Sequence, residues 1–326
     1  MTIPLEVLQS VRVVVSHRYP ENACADGLAS AMIIKDVLPD VEYRFFAHNT
    51  RAYDELVAEP GMLFVDITPP MARVTEFRER GAIVLDHHKD REELVASFGE
   101  RGVFAHEARD PGVSGALLAF EHVWMPFYGR AGIRSWQLEK KRIRHFAEVA
   151  GVRDTWQRSH PLWKTACEQA AVLLFFPIED WLDGEFEPLD PERLAQRMDL
   201  GPHLIARFQQ ETATLVKSAY AFTTEKFLRV VVLPSVRISD AAELFASAAD
   251  VVVGFSFHVE DGKPSMRMSF RSFKGHGGKS VDVSEIARIF PGGGGHKHAA
   301  GGSMRLDNDH AQPHPYVFIR ALMESF

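Results

Sequence analysis

Short apolar runs alternate with stretches of helical spacing through the first hundred residues. Val11 to Val15 is a β-branched run leading into Ser16-His17. After a polar loop, Gly27 to Val37 carries Leu28, Met32 and Ile33 on one helical face. Val41 to Phe46 reads as the next strand, Arg51 to Ala58 as a helix, and Met62 to Val65 as a strand ending at Asp66. Pro69 and Pro70 open a helix through Phe77, since proline is tolerated in a first turn, and Ala82 to Leu85 is a further apolar strand ending at Asp86. The alternation predicts an α/β protein whose N-terminal domain is a parallel sheet with helices on both faces.

Ser114 to Trp124 and Gln137 to Ala150 have helical patterns, followed by a turn at Gly151-Val152-Arg153-Asp154-Thr155-Trp156. Leu162 to Phe176 and Pro202 to Phe222 are also helical, the second long enough to separate two domains. The predicted organisation is a catalytic, metal-binding domain over 1–200, a helical linker over 201–224 and a smaller α/β domain over 225–326. In that domain Phe227 to Leu233, Val251 to His258 and Ser265 to Arg271 read as strands, with helices over Ala241 to Ser247 and Val283 to Phe290. A glycine-rich loop, Pro291-Gly292-Gly293-Gly294-Gly295-His296-Lys297-His298-Ala299-Ala300-Gly301-Gly302, interrupts it.

Size and composition agree with two separate cores, since 326 residues with 46% hydrophobic content exceed one ordinary domain. A net charge of -7 argues against coating long nucleic acid, which calls for a basic face. The two cysteines, Cys24 and Cys167, are far apart and form no CxxC pair, which suits a reducing compartment. No stretch approaches the roughly 20 apolar residues of a membrane span. The expectation is a cytoplasmic protein that does not engage membranes.

In parallel sheets of this kind, ligands bind at the carboxyl ends of the strands. Three strand ends here deliver His17, Asp66 and Asp86-His87-His88, where an ordinary turn would be served by glycine, asparagine or serine. Two divalent ions about 3.5–4 Å apart can clamp both oxygens of an in-line displacement at phosphorus. They need acidic and imidazole ligands, with one carboxylate shared. His17, Asp26, Asp66, His87 and Asp154 supply such a set, and oxygen-rich sites with some imidazole suit manganese or magnesium. Asp154, a single aspartate before a threonine, can alternatively cap a helix. The tryptophans Trp124, Trp136, Trp156, Trp163 and Trp181 read as core, with base stacking as the other use. His48, His106, His122, His145 and His160 read as nonfunctional.

Taken in order, His17, Asp26-Gly27, Asp66, Asp86-His87-His88 and the distal GGGGHKHAAGG resemble the DHH phosphoesterases with their associated C-terminal domain. That family includes RecJ-like exonucleases, nanoRNases, and phosphatases or phosphodiesterases acting on pAp and cyclic dinucleotides. The resemblance covers nearly the whole chain. It implies that His17 binds a first metal, that Asp66 bridges two, and that Asp26, His87 and Asp154 hold the second. It also implies that His88 faces the scissile phosphate while Asp86 orients its neighbours. Arg271, Ser272, Gly293, Gly294, Gly295 and His296 would grip the substrate. The implied cofactor is a pair of Mn²⁺ ions, with Mg²⁺ or another divalent ion as the alternative. The implied partner is a short single-stranded oligonucleotide or a small nucleotide, with a homodimer as a further expectation.

One motif departs from the family's HxxxDxD. Aligned from His17, Glu21 takes the place of the first aspartate; aligned back from Asp26, Cys24 does. The Asp26-anchored alignment fits the helix start at Asp26-Gly27-Leu28-Ala29 and places Cys24 in the ligand slot. The leading expectation is hydrolysis of short oligonucleotides to nucleoside monophosphates. Its alternatives are a phosphatase or phosphodiesterase acting on a small signalling nucleotide, and a nucleotide sensor with an impaired first metal site. An inorganic pyrophosphatase fits less well, because the C-terminal run belongs with the nucleotide-processing branch.

Overall fold

Five short segments of the first 105 residues assemble into one parallel sheet: β1 (Val13–His17), β2 (Glu42–Phe46), β3 (Met62–Val65), β4 (Ile83–Asp86) and β5 (Gly102–Phe104), in the order β2-β1-β3-β4-β5. The computed structural model describes residues 3–19, 23–48, 50–105, 112–128, 136–182, 188–226, 228–234, 238–260, 263–273, 281–290, 293–306 and 314–326. By its internal packing the chain divides into two compact units, Met1–Ile205 and Ala206–Phe326. The division falls inside the helix Gly201–Val216. Among the described residues, no helix is long and apolar enough to cross a membrane.

Strands β3 and β4 are buried along their whole length, as expected for inner strands of a parallel sheet covered on both sides. Alternate residues serve alternate faces. Val13, Val15, Met62, Phe64 and Val84 share one apolar cluster with Phe77, Leu94 and Val95 from the flanking helices and Phe98 from the turn that follows. The helix Ala25–Lys35 packs against β1 and β3, and the helix Gly115–Ala119 against β3 and β4. Residues Asp26 to Ile34 of the first of these are all buried, which suits a helix apolar on nearly every side. It meets Gly115–Ala119, Trp136–Asp154 and Trp163–Phe175 as well as the sheet. Close approach to β1 needs Gly27, since a Cβ there would lie 2.4 Å from the His17 carbonyl oxygen.

Several elements differ from the sequence pattern. β1 lies two residues later than the apolar run suggests, so His17 is its last residue. β5 has no counterpart among the predicted strands, because Gly-Val-Phe carries too little pattern to register before β4 supplies a partner. The helix Gly201–Val216 stops short of Phe222; Tyr220–Thr223 is instead strand β6, paired with Val232 to Arg229. Aromatic residues favour an extended chain once a neighbouring strand is available.

The second unit is a six-stranded mixed sheet. It comprises β6, β7 (Arg229–Pro234), β8 (Val251–Glu260), β9 (Lys263–Ser272), β10 (Gly294–His296) and β11 (Ala299–Arg305), in the order β10-β11-β9-β8-β7-β6. Only β7 and β8 run parallel among its pairs. Val230, Val232, Val253, Met268 and Phe270 pack against Val283, Ile286, Ile319 and Met323, while Val231, Leu233 and Val252 pack against Ile238 and Ala241. The described part of the glycine run is therefore not a loop, while Pro291 and Gly292 lie outside the described residues. Its residues from Gly294 to Arg305 form a β-hairpin on β9, a register that only the partner strand could fix.

Candidate metal centre

The registers Ser16↔Val65 and Val65↔Leu85 place the next residue of each chain segment, His17, Asp66 and Asp86, in one row at the carboxyl edge of the sheet. Asp66 sits in the middle of that row, 1% exposed, with its backbone in the left-handed region at φ 60°. Aspartate tolerates this conformation better than most residues, and such departures collect at functional sites. Its two oxygens face different groups. Oδ1 lies 3.2 Å from His87 Nε2, whereas Oδ2 lies 3.5 Å from Cys24 Sγ and 3.7 Å from His17 Nδ1. Burial alone would raise the Asp66 pKa, but the imidazoles of His17 and His87 reverse that and hold it well below the usual range.

On the Oδ1 side, His87 is the hub. Its Nε2 is 3.5 Å from Asp154 Oδ2 and 3.8 Å from Asp26 Oδ2. Asp26 is in the first turn of Ala25–Lys35, and its carboxylate accepts from the backbone N–H groups of Gly115 at 2.6 Å and Ala116 at 3.1 Å. Those two donors belong to the first turn of Gly115–Ala119, where amides have no partner within the helix. Asp154 is the last residue of Trp136–Asp154. A carboxylate is unfavourable at a helix C-terminus and caps only N-termini, so the capping alternative does not hold here.

The electrostatics follow from this crowding. Burial and the neighbouring Asp66 and Asp154 push the Asp26 carboxyl well up, with His87 opposing. Burial lowers the His87 pKa, but Asp66, Asp154 and Asp26 outweigh it and lift the value to about 10. Burial, then Asp66, Asp154 and Asp26, also raises the Cys24 thiol. Three carboxylates around one imidazole nitrogen call for added positive charge, which a divalent cation supplies. Three groups of side chains have donor atoms within 4.8 Å of one another and can hold an ion: His17, Cys24 and Asp66; Asp66, His87 and His88; and Asp26, His87 and Asp154.

Asp86 Oδ1 accepts from the His88 backbone N–H and lies 2.8 Å from His88 Nδ1, which fixes the ring with Nε2 pointing away from Asp86. Burial would lower the His88 pKa, yet Asp86 raises it to about 9. The Asp86 carboxyl is in turn held low by His88 despite burial. His48 reads as nonfunctional in sequence, but its ring lies 5.2 Å from that of His17 and 5.4 Å from that of Tyr53. Burial, with His17, His88 and Arg91 nearby, lowers its pKa to about 3. Its place just past the end of β2, at the same sheet edge, is the signal that marks it. Gly115 and Ala116 give no signal in sequence, because their contribution is backbone N–H. Glu21, the alternative to Cys24, lies outside the described residues.

The expected substrate-gripping residues fall in the second unit. Strand register aligns His296 with Ala299 and Ala299 with Arg271, a three-strand row. Gly294 and Gly295 lie in β10, and Gly293 just before it. Arg271 Nη1 donates to its neighbour's carbonyl, Phe270 O, at 2.8 Å. Ser272 differs from expectation: its buried hydroxyl donates to Val281 O at 2.8 Å and lies 2.9 Å from His298 Nδ1, tying the hairpin to the sheet. Trp124 is core, bonded through Nε1 to Asp36. Trp156 lies edge-on to Trp163 with Arg153 over its ring.

No protein-family model and no curated protein sequence matches the chain. Solved structures do match. The DHH domain of a protein assigned to a family of ribosomal proteins superposes with a TM-score of 0.57 at 12% identity, over 98% of this chain and 87% of that one. The chain has a DHH-family fold. A pGpG-specific phosphodiesterase from Vibrio cholerae aligns more loosely, with a TM-score of 0.48 and 12% identity over 96% and 98% of the two chains. So does an exopolyphosphatase-related protein from Bacteroides fragilis, at 0.41 and 10% over 98% and 94%. These two looser likenesses carry no weight for the assignment. Within the DHH fold, the Asp86-His87-His88 tripeptide begins at the last residue of β4.

Proposed function

We propose that the protein is a divalent-metal-dependent phosphoesterase that cleaves a phosphodiester bond in a short single-stranded oligonucleotide or small nucleotide and releases nucleoside monophosphates. The observation that carries this reading is Asp66, a buried carboxylate whose two oxygens face two different donor groups. A carboxylate so placed is suited to bridge a pair of ions. His17, Cys24 and Asp66 would hold one, and Asp26, His87 and Asp154 with Asp66 the other, where Mn²⁺ is the proposed ion. Such a pair supplies water of lowered pKa and charge stabilisation at a phosphoryl oxygen.

The side chains have separate tasks. His88, its Nδ1 turned to Asp86, would present Nε2 to a phosphoryl oxygen and so favour the charge that builds there. Burial of Asp26, Asp66 and Asp86 keeps bulk water from the carboxylates and holds their positions. Arg271 and the hairpin amides of β10 suit a nucleotide's phosphate. The net charge of -7 favours short substrates, for which few phosphate contacts suffice.

The test is a panel incubated with Mn²⁺: a labelled dinucleotide such as pGpG, a cyclic dinucleotide, pAp and a long single strand. Turnover of the dinucleotide ahead of the long strand is expected. Preference for pAp or the cyclic dinucleotide would move the assignment to a signalling-nucleotide hydrolase, and turnover of none, with Mn²⁺ alone or with Mn²⁺ and Zn²⁺ together, would sink the phosphoesterase reading.

A further inference from the structure

The two donor groups around Asp66 are chemically unequal. One offers a thiol, an imidazole and a carboxylate oxygen (Cys24, His17, Asp66); the other offers three carboxylates and one imidazole (Asp26, Asp66, Asp154, His87). We infer that the centre is built for two different ions: a zinc-class ion at His17, Cys24 and Asp66, and a manganese- or magnesium-class ion at Asp26, Asp66, His87 and Asp154. The inference rests on the two-ion reading above and adds which ion each half selects.

Several features bring the thiol into the site. The antiparallel bridge Arg18↔Ala23 closes the loop after β1, so His17 and Cys24, one step beyond each bridged residue, face each other. Cys24 occupies the N-cap of Ala25–Lys35, where serine, threonine, aspartate or asparagine would bond the first amides, yet its sulfur makes no capping bond. Sγ is directed at Asp66 Oδ2 instead. A merely packed cysteine belongs among apolar atoms, and this one is buried against a carboxylate.

The spacing suits a tetrahedral ion. With Zn–S about 2.3 Å and Zn–N and Zn–O about 2.0–2.1 Å, neighbouring donors stand about 3.4–3.6 Å apart. The structure places Cys24 Sγ 3.5 Å and His17 Nδ1 3.7 Å from Asp66 Oδ2. Thiolate ligands select zinc-class ions over manganese and magnesium, whereas carboxylate-rich sites take the harder ions. Among the described residues three ligands converge, the protein-ligand number of catalytic zinc sites.

Chelator-stripped full-length protein titrated with Co²⁺ provides the test, read by absorption and not by turnover. A thiolate-to-cobalt charge-transfer band is expected, reaching its limit at one equivalent, lost in Cys24→Ser and kept in Asp154→Asn. Bound cobalt without the band, or a band that survives Cys24→Ser and so arises from Cys167, overturns the inference. Should the serine variant fail to fold, X-ray absorption at the zinc edge of the native chain decides: one sulfur at about 2.3 Å is expected, and a shell of nitrogen and oxygen alone refutes. Loaded with one equivalent of zinc and then with excess manganese, the desalted protein should retain one of each; displacement of the zinc, or no bound manganese, overturns the proposal. A charge-transfer band in a protein that hydrolyses nothing on the nucleotide panel would leave this inference standing and remove the phosphoesterase reading, so the two fail separately.

Discussion

Replacing Gly115 with alanine adds one methyl group between Asp26 and Asp66. Its Cβ would stand 2.6 Å from Asp66 Cβ, 2.9 Å from Asp26 Oδ2 and 2.9 Å from Ser30 Oγ. Carbon atoms in contact normally lie about 3.5–4.0 Å apart, so Asp66 and the first turn of Gly115–Ala119 must separate by about 1 Å. Neither can yield freely. Asp66 is fixed by its amide bond to Leu85 O, and Gly115 by its bond to Asp26. Overpacking of this kind costs about 1–3 kcal/mol of stability, and a 1 Å misplacement at reacting groups costs about 100-fold in rate. We expect Gly115→Ala to lower the urea midpoint modestly, weaken Mn²⁺ binding measured by calorimetry, and reduce kcat about 100-fold. Ser114→Ala separates stability from site geometry. It removes the hydroxyl that caps the same helix at Leu117, with a cost of about 1 kcal/mol and little effect on turnover. Wild-type ion affinity with kcat within about threefold in Gly115→Ala would refute the claim that Asp26–Asp66 spacing sets the centre.

Two other expectations concern charge. In chelator-stripped protein, His87 and His88 have pKa values raised to about 10 and about 9, against about 6.5 when unfolded. Their stabilisation is complete below pH 6.5 and is lost as pH rises through 9 to 10. Urea midpoints should fall across that window, less steeply in Asp86→Asn, where His88 loses its partner, and Mn²⁺ should abolish the fall by displacing the His87 proton. Among the carboxylates, Asp66→Asn should remove both ions and bring turnover to background. Asp154→Asn, whose side chain is 29% exposed, should weaken ion affinity with kcat recovered at high Mn²⁺, as calorimetry and metal-dependent kinetics would report.

The strand-end histidines and aspartates are legible in the sequence because β-branched runs in a parallel sheet are short, continuous and apolar, and the polar residues just after each run mark the ligand edge. His17, Asp66, Asp86 and His87 all follow that rule. What escapes it depends on partners distant in sequence. The glycine run reads as a loop until β9 supplies hydrogen-bonding neighbours, and Gly-Val-Phe of β5 means nothing without β4. Gly115 has no side chain to announce its contact with Asp26, 89 residues away. Ser272 carries the right chemistry for a phosphate ligand, but its hydroxyl is used within the fold. A lone histidine is weak evidence, which leaves His48 unmarked, although the rule that finds His17 applies equally to the end of β2.

The backbone of Asp66 sets two demands against each other. An L-residue in the left-handed region carries about 1–2 kcal/mol of strain that glycine would not, and glycine at this position would relax the turn after β3 while erasing the carboxylate. Glycine would relieve the backbone, but it would also leave the His17 and His87 imidazoles without the buried carboxylate that faces them, a loss larger than the strain removed. The costly turn is thus held in place by the charges gathered around it.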